Sequence, residues 1–548
     1  MRQLLSIPVS IFLVLNPVWP SVAEAEVSAP APTTPIQHVV VIFDENESFD
    51  HYFGIYPKAT NPPGQPRFTA LPGTPSVNGF SPGLLTDNPN LNTSNGSGAS
   101  NPFRLNRSQA LTADQNHSYG PEEASFDHGL MDLFPLNTGT AGSSSTMSVL
   151  IPAVVTTKGL VMGYYDGNTV TALWEYAQNF ALNDNSYGTQ FGPSSPGAVN
   201  LISGQTNGIN QSTVANANSS DEIADGQGGF TLNGDSDPLY DACAGSSKMQ
   251  MNFTTNNVNV GNLLNNAGLS WGWFQGGFDL TVVNPNGTTH CNRSTVSPIT
   301  GLTEADYVPH HEPFQFYPST ANPLHLRPST STTTSIGYPD TDANHQYDIH
   351  DFFDALSAGN LANVSYLKPA SYQNAHPGNS NPLDEQAFIV KVVNALMQSS
   401  FWNTTAVIIA YDDSDGWYDH QMGPLVNASF TTEDSISGTH ACGTSGMTPQ
   451  LPGPNTGTAP VNGRCGYGVR QPLLVISPWA KANYVDNTLT DQTSVLRFIE
   501  DNWNLGRIGG GSFDTLANPI TNMFNFSNPS GPPPNTNQPI LSPITGLP

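Results

Sequence analysis

Two stretches constrain this chain more than any others. IQHVVVIF, from Ile36 to Phe43, and TAVIIAY, from Thr405 to Tyr411, are continuous apolar and β-branched runs with almost no polar alternation. Runs of that kind form strands buried on both faces, a situation typical of parallel sheets covered by helices. Leu473 to Ile476, just before Ser477-Pro478, reads the same way, and Trp271 to Phe274 is a weaker member of the set. Helical patterns lie at Val170 to Phe180, Tyr347 to Leu356 with Gly359 as a stop, Asp384 to Ser399, and Thr493 to Trp503. The alternation predicts an α/β fold. Tracts rich in Gly, Asn, Pro and Ser at about 58–115, 204–245, 421–468 and 505–548 read as loops. The stretch 230–345 has few periodic signals and reads as a candidate cap or insertion, and 506–548 reads as a C-terminal tail.

Both strong strands run into acidic clusters, Asp44-Glu45-Asn46 after the first and Asp412-Asp413 after the second. In open parallel sheets ligands bind beyond the carboxyl ends of the strands, so the two clusters are expected to share one crevice. Carboxylates converging there would form a hard, oxygen-rich site suited to a divalent cation. Either cluster alone would more simply be a solvated strand end. The repetition favours a site.

The N-terminus combines Arg2, an apolar run from Leu4 to Leu15, and small residues at Ala23 and Ala25. This is the layout of a signal peptide over 1–25, followed by a Pro/Ala/Thr linker over 26–35 and a catalytic region over 36–505. The expected location is periplasmic or extracellular, with no transmembrane segment. Four cysteines fit an oxidising compartment. Of three connectivities, Cys243–Cys291 and Cys442–Cys465 are favoured because each closes a local loop; the rival zinc site lacks any C-x-x-C spacing. A net charge of −27 with 16 Lys+Arg excludes a nucleic-acid partner.

FGPSSPGAVNLISGQT, Phe191 to Thr206, supplies a third element. Pro196 suits a first helical position and Ser195 an N-cap, which would set Ser194 and Ser195 at a positive helix terminus with free N–H groups able to hold phosphate. The simpler alternative is a serine that only caps a helix. His117, His310, His311 and His376 lie in loops and could donate to phosphoryl oxygens or protonate a leaving alkoxide. Of the adjacent pair His310-His311, one is expected to work in the site and the other to support it.

HVVVIFDENESFDHYFG (from His38), GLMD (from Gly129), MGYYDGN (from Met162), FGPSSPG (from Phe191), VPHHEPFQ (from Val308), YDDSDGWYDH (from Tyr411) and YGVRQPLLVISPWAK (from Tyr467) together resemble the bacterial phosphoesterase family that joins acid phosphatases and phosphatidylcholine-type phospholipases C. The resemblance implies an alkaline-phosphatase-like three-layer core with a mostly parallel sheet between helices. It further implies Glu45, Asn46, Ser194, Asp412 and Asp413 as ligands of a divalent metal ion, and Ser194 as nucleophile. His117, His311 and His376 would surround the phosphoryl group, with His310 and Asn46 contacting substrate. Phospholipase-like members resemble E-N-R-S-F-D-H, G-P-T-x-P-N-R and Y-D-E. This chain instead has Glu47, Ser194 with Gly197-Ala198, and Asp412-Asp413, which resembles the acid phosphatase branch and removes an arginine that could clamp phosphate.

The expected activity is therefore hydrolysis of phosphate monoesters through a phosphoserine, with His376 protonating the leaving alcohol. Because protonated histidines donate best, the optimum is expected below about pH 6.5. The alternatives are a phospholipase C acting on phospholipid head groups and an inactive secreted binding protein on the same scaffold.

Overall fold

A computed structural model describes residues 29–140, 156–210, 221–330, 332–444, 446–447 and 450–548. The expected signal peptide lies outside the described residues, as does the start of the linker. Eight strands form the central sheet: β1 (His38–Asp44), β2 (Ala181–Asn183), β3 (Trp271–Gln275), β4 (Gln346–Asp348), β5 (Val364–Lys368), β6 (Thr405–Tyr411), β7 (Leu473–Ile476) and β8 (Tyr484–Asp486). Their order is β4-β3-β5-β1-β6-β7-β2-β8. β4, β3, β5, β1 and β6 are mutually parallel. β7 alone is reversed against both neighbours, while β2 and β8 pair in parallel. The fold is thus α/β with a mostly parallel sheet.

β1 and β6 pair in unbroken register from His38↔Thr405 to Asp44↔Tyr411. Every residue of β6 is buried, and only His38 of β1 is partly exposed, so the central strands are covered on both faces. The helices about the sheet include α1 (Phe49–Phe53), α2 (Thr171–Asn179), α3 (Ser194–Ser203), α4 (Pro382–Met397) and α5 (Gln492–Trp503), and the helix Ile349–Ser357 packs on β3 and β4. α2 packs on α4 and on β2, β7 and β8, whereas α3 packs on α5, which also touches β6.

Two regional expectations change. The 230–345 stretch, expected as a candidate cap or insertion, contributes β3, which lies between β4 and β5 next to the edge of the sheet. The 506–548 segment is no free tail. It buries Phe513, Ile520, Met523, Phe524 and Leu541, Phe524 stacks on Phe498 of α5 at 5.1 Å, and Asn394 of α4 exchanges hydrogen bonds with the Leu541 backbone. Its Pro and Asn content marks irregular backbone, which a few well-spaced apolar residues still anchor. Sulfur–sulfur bonds join Cys243 to Cys291 and Cys442 to Cys465, the pairing favoured from loop closure. Among the described residues no helix is long and apolar enough to cross a membrane.

The loop after β6 is tied to α1 by a fully buried ion network. Arg470 donates to Asp50 Oδ1 (3.0 Å) and Asp419 Oδ2 (3.1 Å), and its guanidinium lies 4.4 Å from the Phe49 ring. Burial alone would raise the pKa of Asp50, but His420 and Arg470 beside it outweigh that and lower it. Removing one partner strands the others without compensation in a low-dielectric interior. Arg470→Met should therefore cost roughly 3–5 kcal/mol of unfolding free energy, measured by denaturant titration. A loss below about 1 kcal/mol, the size of a surface pair, would show that this network does not hold the two loops together.

Candidate active site

The shared register of β1 and β6 carries both acidic clusters to one edge of the sheet. Asn46 turns the chain there with φ of 58°, in the left-handed region that asparagine tolerates better than most residues. Its N–H donates to Asp412 Oδ1 (3.1 Å), which also accepts from the Asp413 N–H (2.9 Å). The two dipeptides are thereby locked together.

α3 brings in the serine, and its start differs from expectation. Pro193 occupies the N-cap position and Ser194 is the first helical residue, so Ser195 lies inside the helix and does not cap it. The N–H of Ser195 is also not free for phosphate, because Asp235 Oδ1 accepts from both its N–H and its hydroxyl at 2.9 Å. The sequence signal was ambiguous because prolines stand on both sides of the serine pair. Ser194 Oγ is the group aimed at the acids, 3.3 Å from Glu45 Oε2 and 3.2 Å from Asp413 Oδ2. Gly197 allows this approach. A Cβ at that position would stand 2.0 Å from the Asp412 carbonyl oxygen, so α3 can lie against the end of β6 only with glycine there.

The Asn46 amide completes the arrangement. One terminal atom lies 3.1 Å from Asp412 Oδ1, 3.0 Å from Asp413 Oδ2 and 3.2 Å from Glu45 Oε2; the other lies 3.1 Å from His376 Nε2. With Nδ2 inward the amide donates to the carboxylates. With Oδ1 inward it joins Ser194, Glu45, Asp412 and Asp413 in an all-oxygen cradle. In that orientation Nδ2 can donate to His376 Nε2, which a neutral ring leaves as an acceptor because Nδ1 faces the Pro377 carbonyl at 2.6 Å. That oxygen set fits a hard divalent cation.

The histidines do not act as one group. His311 sits 2.9 Å from Glu45 Oε1, with its ring at 4.5 Å from that of His310. His310 faces away, toward Asp237 (3.4 Å) and Lys248 (3.2 Å). Burial, then His310 and Lys368, push the His311 pKa well below the ordinary value. Burial also disfavours charge on His117, but Asp413, Asp415 and Asp114 outweigh it and raise that pKa well above 6.5. His117 Nδ1 lies 3.2 Å from Asp415 Oδ1. His117 and His311 are thus shifted in opposite directions by their surroundings. Ligand atoms of Asp114, His117, His376 and Asp415 fall within 4.8 Å of one another beside the oxygen cradle.

Glu47 does not occupy the place of a phosphate clamp. Its carboxyl is buried facing His51 Nε2 at 3.6 Å, and burial raises its pKa well above the ordinary value. Asp114 and Asp415 beside His117 escaped sequence reasoning, as did two further residues. Lys368, the last residue of β5, reaches both Glu45 and Asp412, and Asp235 holds Ser195. A lysine closing an apolar strand is the one signal that could have been noticed, since an unpaired lysine is rarely buried.

The chain matches the model of the Phosphoesterase family over residues 36–506. It belongs to that family. As a phosphoesterase it is a hydrolase of phosphate esters. It is 23% identical over 546 residues to phospholipase C A of Mycobacterium tuberculosis (strain CDC 1551 / Oshkosh), covering 96% of this chain and 85% of that protein. It is 24% identical over 507 residues to the non-hemolytic phospholipase C of Burkholderia pseudomallei (strain K96243), covering 90% of this chain and 60% of the relative. Among solved structures, a Vibrio parahaemolyticus protein in the alkaline phosphatase superfamily gives a TM-score of 0.26 at 11% identity, over 62% of each chain.

In this phosphoesterase the close contact at Gly197 makes a direct check of the geometry. Gly197→Ala should lose about 1–3 kcal/mol of stability, the usual cost of overpacking a tight contact, and its hydrolytic rate should fall because Ser194 moves with α3. Unchanged denaturation midpoint and rate would show that the helix does not need to lie so close to Asp412.

Proposed function

We propose that this chain is an exported, metal-dependent hydrolase of phosphate monoesters that works through a phosphoserine at Ser194. One observation carries the reading: Ser194 Oγ stands within 3.3 Å of Glu45 and Asp413 carboxylate oxygens that come from two different strand ends. Glu45, Asn46, Asp412, Asp413 and Ser194 would hold the cation. When bound, a divalent ion supplies charge stabilisation to the phosphoryl oxygens and lowers the pKa of the coordinated hydroxyl.

Ser194 Oγ attacks phosphorus in line, forming the serine phosphate as the bond to the alcohol oxygen breaks. The departing alkoxide needs a proton. His117 is better placed to give it, from Nε2, than His376, because Asp415 faces its Nδ1 and favours the charged ring, and the ring borders the adjoining cavity, whereas His376 is turned to Asn46. Water then attacks the phosphoserine and releases phosphate. Disulfides and the N-terminal pattern support export.

A cavity of about 350 Å³ opens beside His117 and Pro193. Among the described residues its walls include Asp221, Asn233, Asp235, Lys248 and Glu433, with Tyr119 and His117 as the aromatic rings. Such a lining suits a small polar alcohol and offers little to acyl chains. This supports the monoester reading over a phospholipase C, the activity in the names of the relatives.

Ser194→Ala should abolish turnover with the fold intact, while Ser195→Ala keeps substantial activity. Acid-quenched wild-type reactions should carry phosphate on the peptide containing Ser194, and p-nitrophenyl phosphate should be cleaved faster than p-nitrophenyl phosphocholine. Turnover by Ser194→Ala, or preference for the diester, would refute the corresponding part. A second experiment isolates the proton donor. His117→Asn should slow glycerol phosphate hydrolysis by roughly 10²–10⁴-fold but p-nitrophenyl phosphate much less, since p-nitrophenolate leaves without a proton. Equal slowing of both substrates would remove His117 from that role.

A further inference from the structure

Lys368 is fully buried, at the end of the third strand that reaches this edge of the sheet. Its ammonium contacts Glu45 Oε1 and lies 3.0 Å from Asp412 Oδ2, with the Phe43 ring 4.9 Å away. The remaining oxygens of the same two carboxylates face the other way. Glu45 Oε2 points to Ser194, and Asp412 Oδ1 to Asn46 and the Asp413 N–H. Each acid is thus divided, with one oxygen on lysine and one on the cradle. His311, 2.9 Å from Glu45 Oε1, borders the lysine side. A buried cluster this rich in carboxylates needs positive charge on both sides of Glu45 and Asp412. The Lys368 ammonium fills one of those sides, and Ser194 and Asn46 stand on the other.

We propose that Lys368 is a positioning residue that acts as a permanent second cation: it directs one oxygen each of Glu45 and Asp412 toward Ser194 and keeps a divalent ion out of the position between Glu45 Oε1 and Asp412 Oδ2. The inference rests on the metal reading above and goes beyond it by naming the residue that fills that position. Glu45 Oε1, Asp412 Oδ2 and a His311 nitrogen are oxygen and nitrogen donors of the kind that bind first-row divalent metals. With the ammonium gone, they have the composition of a second site.

The probe is Mn²⁺, located by anomalous diffraction from crystals of wild type and Lys368→Ala and counted in solution by elemental analysis after dialysis. Wild type should show an ion on the Ser194 side of Glu45 and none between Glu45 Oε1 and Asp412 Oδ2. Lys368→Ala should gain an ion at that second position, raising its manganese content by one per chain. A folded Lys368→Ala protein with that position empty overturns the proposal, as does an ion there in wild type. If the variant fails to fold, wild-type crystals at saturating Mn²⁺ decide: exclusion from the lysine position supports the proposal and entry refutes it. Absence of any ion beside Ser194 in wild type would instead defeat the metal reading itself.

Discussion

The seven-residue parallel pairing of β1 with β6 is the constraint on which the rest of this phosphoesterase depends. Because the register runs unbroken to Asp44↔Tyr411, the two strands end at the same height and their acidic extensions leave the sheet side by side. A one-residue slip would reverse which side chains face which layer and would separate Glu45 from Asp412. Apolar pattern alone does not prevent that slip, because β6 is buried on both faces; the Asn46 and Asp413 N–H groups that meet Asp412 Oδ1 help to fix the register.

The same pairing creates an electrostatic problem. Asp44, Glu45, Asp412, Asp413 and Asp415 are all buried within a short distance of the strand ends, and burial raises the pKa of Asp412 to about 6 and that of Asp413 well above the carboxylate range. Isolated charges in such surroundings are costly, so they are either partnered or, like Asp44, pushed by burial toward the neutral form. Lys368 meets Glu45 and Asp412, His117 meets Asp415, and Arg470 secures the neighbouring loop through Asp50 and Asp419. A chain with only 16 Lys+Arg thus places several of them inside, where Arg293, Arg464, Arg470 and Lys368 are all buried. Most of the Asp and Glu side chains are buried as well, so the outer surface carries less of the net negative charge than the composition suggests.

Backbone fit matters as much as charge at this centre. Gly197 lets α3 close on the end of β6, Asn46 accepts a left-handed turn, and Asp235 occupies the Ser195 N–H that would otherwise face a ligand. Together they leave Ser194 as the hydroxyl directed at the carboxylates. The neighbouring Ser195, similar in sequence terms, is committed to Asp235.

What the sequence by itself determined follows from local chemistry. Uninterrupted β-branched runs specify doubly covered strands, acidic residues directly after them specify where an oxygen-rich site can form, and an even cysteine count with two loop-closing spacings favours the disulfide pairing. Each strand and its acidic extension are adjacent in the chain, and the paired cysteines are 48 and 23 residues apart. Tertiary structure alone decided that Lys368 stands between Glu45 and Asp412, that Ser195 belongs to Asp235, that Glu47 faces His51, that His117 and His311 have opposite proton affinities, and that 230–345 feeds the sheet. Each of these depends on which strand ends and loops become neighbours, and no periodicity or spacing encodes a side chain's partner across a sheet whose strand order differs from its chain order.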